Sequence, residues 1–521
     1  MLTSLTQRLP KACLRAWALG CVALLVSPSI ASADAESEAA ASALFDEMSD
    51  NAAQLRMFLQ AMPKGGDLHN HLGGSIYAED FLEAAAAEGM CADEKIERIV
   101  AAPCPAERKL ATMAKDRTFA YAALIDSLST RGHQRGVGAD DVSGHTQFFS
   151  SFDKLGAAFP LDPGRWLSAT RQSAARNNVS YLELMNNPPA LVKYAMAGGD
   201  EPLDEGDLGA VYAREIGTVR GLLGKAMAEV DRVEADARQD LSCGTKDAAA
   251  GCDVAVHYLT FAWRSMAPAV AFRSLIAGFA LADRDPRFVG VNIVMPEDDP
   301  VALRDYGLHM AMFRFLEAKY PAVSVSMHAG ELTLGLVRPK DLSDHIARAV
   351  DSGARRIGHG TDIAYEDAAP ETLARMAREG IAVEVNLTSN AVILGVEGSE
   401  HPITLYRSMG VPVVLSTDDE GVLRSDMTNE YRRAAMEQGL GYAELKDLAR
   451  ASLEYAFIPG ASFWRDARAE MPVSACTAAL ADRRCQSFLA SSEKARLQAD
   501  LESRFDRFEH SLDRFRQSQG S

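Results

Sequence analysis

A (β/α)8 barrel with helical insertions and helical extensions at both ends is the fold class this sequence predicts. Eight short apolar or β-rich runs recur along the chain. Most of them are near-continuous in apolar residues, as parallel strands buried on both faces are. Helix-like stretches such as "DLSDHIARAV", "PETLARMAREG" and "HPITLYRSMG" stand between the later runs, which is the alternation a parallel barrel requires. The 521 residues are 47% hydrophobic and 24% charged, a composition able to bury a large core. A formal net charge of −18 would repel phosphate backbones and anionic lipid, which argues against nucleic-acid and membrane partners.

Taken in order, the chain opens on Arg8, Lys11 and Arg15, then the apolar "AWALGCVALLV", then "ASA" before Asp34. This reads as a signal peptide over 1–33 cut after Ala33, and predicts a periplasmic or secreted mature chain. A lipoprotein signal ending at Cys21 is the rival, but most of the apolar run lies at or beyond that cysteine. Residues 34–62 form a helical extension, periodic in apolar residues over 36–62. Residues 63–461 hold the barrel, with strands expected in 66–72, 179–185, 254–263, 287–295, 322–330, 354–362, 381–389 and 411–419. Two stretches exceed what a barrel needs, 79–153 and 198–251, and read as helical insertions. Residues 462–521 form a charged helical tail in which Phe505, Phe508 and Phe515 make a docking stripe. Six cysteines remain after the signal, in three local pairs: Cys91/Cys104, Cys243/Cys252 and Cys476/Cys485. An even count in an oxidising compartment suggests disulfides, and local pairing is the simplest of the connectivities.

The chemistry is expected at the C-terminal strand ends. The first run ends "HNH", the fifth "MHAGE", the sixth "GHG" and the eighth "TDD". Residues two apart on a strand share a face, so His69 and His71 point together. With His328 and Asp418 they form three histidines and a carboxylate, a set that suits one catalytic Zn2+ ion. Glu331 lies three residues after His328, beyond a glycine, and can exchange protons with a substrate ring nitrogen. His359, between two glycines, can orient a water or take its proton, and Asp419 can accept a hydrogen bond from the substrate. The other histidines (His133, His145, His257, His309, His345, His401 and His510) match no motif and read as structural. Trp263 and Arg264, ending the third run, read as packing and rim.

Together, "PKGGDLHNHL", "HAGE", "IGHGTDI" and "STDD" resemble the adenosine deaminases of the amidohydrolase superfamily, over roughly 62–456. The export signal, the cysteine-bearing insertions, "FFSSFDKLG" and "YLELMNNPP" resemble the secreted branch, the adenosine deaminase-related growth factors and their bacterial relatives. The resemblance makes His69, His71, His328 and Asp418 the zinc ligands. It implies that Glu331 protonates N1 of a purine, His359 activates the attacking oxygen, and Asp419 holds N7, with His71 and Asp419 contacting substrate. A fourth strand ending "VGVNIVMPE", without lysine, implies one metal ion rather than two. The implied activity is hydrolytic deamination of adenosine or 2′-deoxyadenosine, with a purine nucleoside and water as the partners and a homodimer through the 36–62 helix as the expected assembly.

Two departures qualify the substrate. Where cytosolic members carry an aspartate that contacts the ribose 5′-hydroxyl, this chain has Gly73. Where the family has a glycine whose N–H meets N3, it has Met295. Glu183, on the second strand, is the candidate to replace the missing carboxylate, or else a salt-bridge partner of an insertion. Adenine or another 6-aminopurine is therefore the alternative substrate. A non-catalytic binding or signalling protein on the same fold is the alternative of another class, and an intact acid–base set argues against it.

Overall fold

A computed structural model of the chain describes residues 30–133, 142–199, 201–467, 471–477 and 480–519. Most of the expected signal peptide lies outside them. Eight strands form one parallel sheet in sequential order: β1 (Gly66–His71), β2 (Tyr181–Met185), β3 (Ala255–Trp263), β4 (Phe288–Val294), β5 (Ser324–Ala329), β6 (Arg356–His359), β7 (Ala382–Val385) and β8 (Val413–Leu415). Each falls within its expected run. The barrel closes where the residues after β8 meet β1. The Asp418 N–H donates to the His69 carbonyl and the His71 N–H to the Asp418 carbonyl, both at 2.9 Å. Asn70 faces away from its two histidine neighbours and donates to Thr417 Oγ1 at 2.9 Å, and Thr417 donates to Asp67. The residue between the histidines thus fastens the seam.

The N-terminal extension is two helices, α1 (Ile30–Met48) and α2 (Ala52–Ala61). The continuous periodicity hides the break, which Asn51 makes by accepting hydrogen bonds from the Ala53 and Gln54 N–H groups. The first insertion contains α3 (Gly144–Leu155), capped by Ser143. The second is dominated by the 33-residue helix α4 (Leu208–Asp240). After β8 come α5 (Met427–Gln438) and α6 (Tyr442–Glu454), and the tail ends in α7 (Glu493–Gln519). Two hairpins depart from the all-helical expectation: Cys91–Ala92 with Ile99–Val100, and Trp464–Asp466 with Met471–Pro472. Strands this short carry no period that a sequence reading could detect.

The three local cysteine pairs are disulfides. Phe505 and Phe508 are buried, and the Phe58 ring meets those of Phe45, Tyr442 and Phe508 edge to face or nearby at 5.2–5.7 Å. The Phe515 side chain lies outside the described residues. No helix among the described residues is long and apolar enough to cross a membrane.

Candidate active site

The strand ends converge as the motifs require. One ligand atom each from His69, His71, His328 and Asp418 lies within 4.8 Å of all the others. His69 Nε2 is 3.0 Å from His328 Nε2 and 3.4 Å from Asp418 Oδ1, and His71 Nε2 is 3.3 Å from the same oxygen. The outer partners fix what these atoms are. His69 Nδ1 meets Glu384 Oε2 at 2.6 Å, and His328 Nδ1 meets Asn292 Oδ1 at 3.0 Å. A carboxylate and an amide oxygen accept only, so each ring carries its hydrogen on Nδ1 and turns a lone pair from Nε2 inward. Two lone pairs 3.0 Å apart repel unless a cation lies between them.

Where no metal ion takes that place, a proton on His69 Nε2 does. Burial opposes a charge on His69, yet the Asp418 and Glu384 carboxylates raise it to about 10. Burial also opposes charge on Asp418, but hydrogen bonds from His69 and His71 hold it well below the carboxylate range. Buried nitrogen and oxygen donors at these spacings fit zinc, which takes such ligands at about 2.0–2.2 Å.

Glu384 is itself anchored. Arg356 donates to it and also to Glu183, so one buried chain runs His69–Glu384–Arg356–Glu183 beneath the site. Burial works against charge on Glu384, but Arg356 and His69 hold it at about 2. Glu183 is therefore not a substrate group. Its oxygens serve Arg356, the Tyr181 hydroxyl and the Phe457 N–H. It sits two residues below Met185 on the same face of β2, one layer deeper than the cavity that Met185 lines.

A cavity of about 360 Å³ opens above the ligands. His71, His328, Glu331, Asp418 and Asp419 form its polar end. Burial, reinforced by Asp418 and Glu297, holds the Glu331 carboxyl well above its usual range. Burial and Asp418 do the same to Asp419. Asp419 Oδ1 is buried without a hydrogen-bond partner. Gly74 makes room for it, because a Cβ there would stand 1.5 Å from that oxygen. Gly358 makes room for the His69 ring in the same way, at 2.7 Å.

His359, buried with Nε2 3.6 Å from Glu331, is held at about 3 by burial. Its tautomer follows from a relay. The Ile403 N–H donates to His401 Nδ1, so His401 carries its hydrogen on Nε2 and donates to Asn390 Oδ1 at 3.0 Å. The Asn390 amide nitrogen then donates to His359 Nδ1, also at 3.0 Å. Neutral His359 therefore carries its hydrogen on Nε2, toward Glu331. Asn390 opens a π-helical turn over Asn390–Leu394, a distortion common at functional sites.

Three non-glycine residues at the strand ends take left-handed backbone: Met295 (φ 86°), His359 (φ 68°) and Asp418 (φ 60°). Met295 lines the cavity and keeps the backbone conformation that glycine favours. Trp263, expected as packing, lines the cavity as well. Arg264, expected at the rim, is buried, donates to the His328 carbonyl and lies 3.4 Å from Glu297. Glu297 in turn accepts from the Glu331 N–H at 2.9 Å and meets His345 Nδ1 at 2.7 Å. Sequence reasoning missed Glu384, Asn292, Asn390 and Glu297, and left His345 and His401 unassigned. The available signal was a polar or charged residue inside an apolar run.

Residues 168–463, more than half of the chain, match the family model for adenosine deaminase. The chain belongs to the adenosine deaminase family. It is 38% identical over 132 residues to an aminodeoxyfutalosine deaminase of Streptomyces coelicolor, covering 25% of this chain and 32% of that protein. It is 32% identical over 158 residues to an adenosine deaminase of Shewanella loihica, covering 30% and 44%. It is 28% identical over 221 residues to an adenine deaminase of Sinorhizobium medicae, covering 42% and 63%. The matched stretches thus span from about a third to under two thirds of these relatives. Among solved structures, a Burkholderia ambifaria amidohydrolase with bound Zn superposes with a TM-score of 0.54 at 19% identity, over 88% of this chain and 94% of that one. The Arabidopsis N6-mAMP deaminase gives 0.51 at 21%, over 77% and 96%. Both likenesses concern the fold alone, a (β/α)8 barrel.

Proposed function

We propose that this chain is an exported, zinc-dependent hydrolytic deaminase that converts adenosine or 2′-deoxyadenosine to the inosine form and ammonia in the periplasm or outside the cell. The observation that carries the reading is the convergence of His69, His71, His328 and Asp418 at the floor of a cavity lined by Glu331, whose carboxyl is held well above its usual range, and by Asp419, whose Oδ1 has no hydrogen-bond partner, with His359 3.6 Å from Glu331. Those four ligands would hold one zinc ion, which when bound brings the pKa of water toward neutrality.

The remaining steps belong to side chains. Glu331, whose carboxyl burial holds well above its usual range, gives its proton to N1 of the purine as oxygen adds to C6. Asp419 holds N7; burial and Asp418 push its carboxyl up, toward the form that can donate to that acceptor. His359 presents Nε2–H to the attacking oxygen and orients it. The two protons of the added water end on Glu331 and on the departing amine, which leaves as ammonia.

Gly73 favours a second reading with the same chemistry, in which adenine or another 6-aminopurine is the substrate. The purified chain is incubated with adenosine, 2′-deoxyadenosine, adenine and AMP, with and without a chelator, and ammonia is measured. Chelator-sensitive release from the nucleosides is expected. Preference for adenine would select the second reading, and no release from any compound would sink both.

A further inference from the structure

The outer part of the cavity differs in kind from its polar end. Phe149, Phe152, Phe159, Phe261, Trp263 and Met295 line it, each half-buried or exposed, whereas Glu331, Asp418 and Asp419 are buried. A purine whose 6-amino edge meets the buried acids turns its N9 substituent toward this aromatic mouth. Among the described residues, every side chain lining the cavity with a hydrogen-bonding carboxyl or imidazole belongs to the catalytic set; Trp263 adds only an indole N–H. Among the described residues, no lysine or arginine lines it. A ribose 5′-hydroxyl or 5′-phosphate placed here loses water and gains little in return, while an apolar group gains contact.

Position 73 marks the exchange. A Cβ on Gly73 would stand 3.2 Å from the Phe159 ring, so a phenyl ring fills the space beside the position from which the cytosolic pattern offers a carboxylate. The wall is braced. Phe148, buried and also lining the cavity, packs edge to face on Phe149 and Phe152 at 5.0 and 5.3 Å. His145 at the start of α3 reaches across to Asp298, just beyond β4, at 3.0 Å. Gln147 donates to the carbonyls of Asp126, Ser127 and Ser129. Gly144 allows the close approach of α3 to the Asn390 turn, since a Cβ there would meet the Val392 carbonyl at 2.0 Å.

We infer that the preferred substrates are 6-aminopurine nucleosides carrying an apolar group in place of the 5′-hydroxyl, and that the Phe149–Phe152–Phe159–Phe261–Trp263 wall determines this specificity. The inference rests on the deaminase reading for its reaction, and on the cavity wall alone for its selectivity.

The test measures kcat/KM for ammonia release by the zinc-loaded chain from AMP, adenosine, 5′-deoxyadenosine and a series of 5′-S-alkyl-5′-thioadenosines from methyl to butyl. The expected order is AMP, adenosine, 5′-deoxyadenosine, then the alkyl series, with each added methylene raising kcat/KM about three- to fourfold until the mouth is filled. Phe261→Ser and Phe159→Asn should each flatten the chain-length dependence. Adenosine equal to or better than the alkyl compounds overturns the inference, with no variant needed. If no compound releases ammonia, the deaminase reading fails, and the wall is judged by calorimetry with 5′-alkylthio derivatives of purine riboside. A rise in affinity with chain length then still supports the wall, and a flat series overturns it.

Discussion

The barrel mouth has two halves built on opposite principles. The ends of β1, β5, β6 and β8 supply charge and imidazole, and almost every polar atom there is held from behind: His69 by Glu384, His328 by Asn292, His359 by Asn390. The ends of β2, β3 and β4 supply Met185, Phe261, Trp263, Val294 and Met295, held by packing. The first half is fixed atom by atom, as the proposed metal site and proton transfers would require. The second fixes a shape, which is enough to select an apolar substituent and tolerates change. Damage to the first half should appear in kcat or metal content, and damage to the second in which substrate is used.

The sharpest way to break this contrast is Glu331→Gln. We expect zinc to be retained, by metal analysis, while kcat falls about 10²- to 10⁴-fold. Glu331 must be protonated to act, so wild-type activity declines as pH rises through its raised pKa. The variant should lose that alkaline limb; near-full activity would remove Glu331 from its role.

Glu297 joins the halves, running from the end of β4 to the Glu331 N–H. Burial opposes its charge, but Arg264 and His345 hold it at about 2, against 4.5 when unfolded. Its contribution is therefore complete above about pH 4.5 and lost as pH falls through about 2, on the order of 3 kcal/mol. Urea unfolding from pH 6 to 2 should show that loss, and Glu297→Gln should flatten it.

A smaller effect is expected for Glu384→Gln, about 10- to 100-fold in zinc affinity by chelator competition. Unchanged affinity would mean that His69 does not need its carboxylate. The smallest is Asn390→Leu, about tenfold in kcat with KM unchanged, as the loss of one buried hydrogen bond implies. Nitrogen NMR of His359 should report loss of the fixed tautomer; an unaltered signal would remove the relay.

The two halves were unequally legible in the sequence. His69 and His71 could be paired because a strand repeats every two residues, and Glu331 could be placed because Gly330 turns the chain (φ 72°) just after His328. These are local relations. Glu384 in "IAVEVNLTS" shows only that a charge is buried; of its partners, Arg356 comes from the neighbouring strand and His69 from the first strand, 315 residues away. Glu183 was misplaced for the same reason: its strand was right, but its depth depends on Arg356. "FFSSFDKLG" was visible as a motif, yet the seating of α3 over the mouth depends on Gly144 meeting the Asn390 turn, a contact between segments some 250 residues apart.

The terminal helices carry a consequence for how the chain matures. Lys446 on α6 is clamped between Glu38 of α1 and Glu509 of α7, both at 2.7 Å, and Phe58 is covered by Phe508. The earliest described helix thus rests on the last one, and β1 closes only on residues beyond β8. A growing polypeptide emerging from the ribosome can satisfy neither contact until synthesis is nearly complete. Its first helices must wait for α6 and α7 to cover Phe45 and Phe58, and removing α7 would uncover Phe58 where Phe508 packs on it.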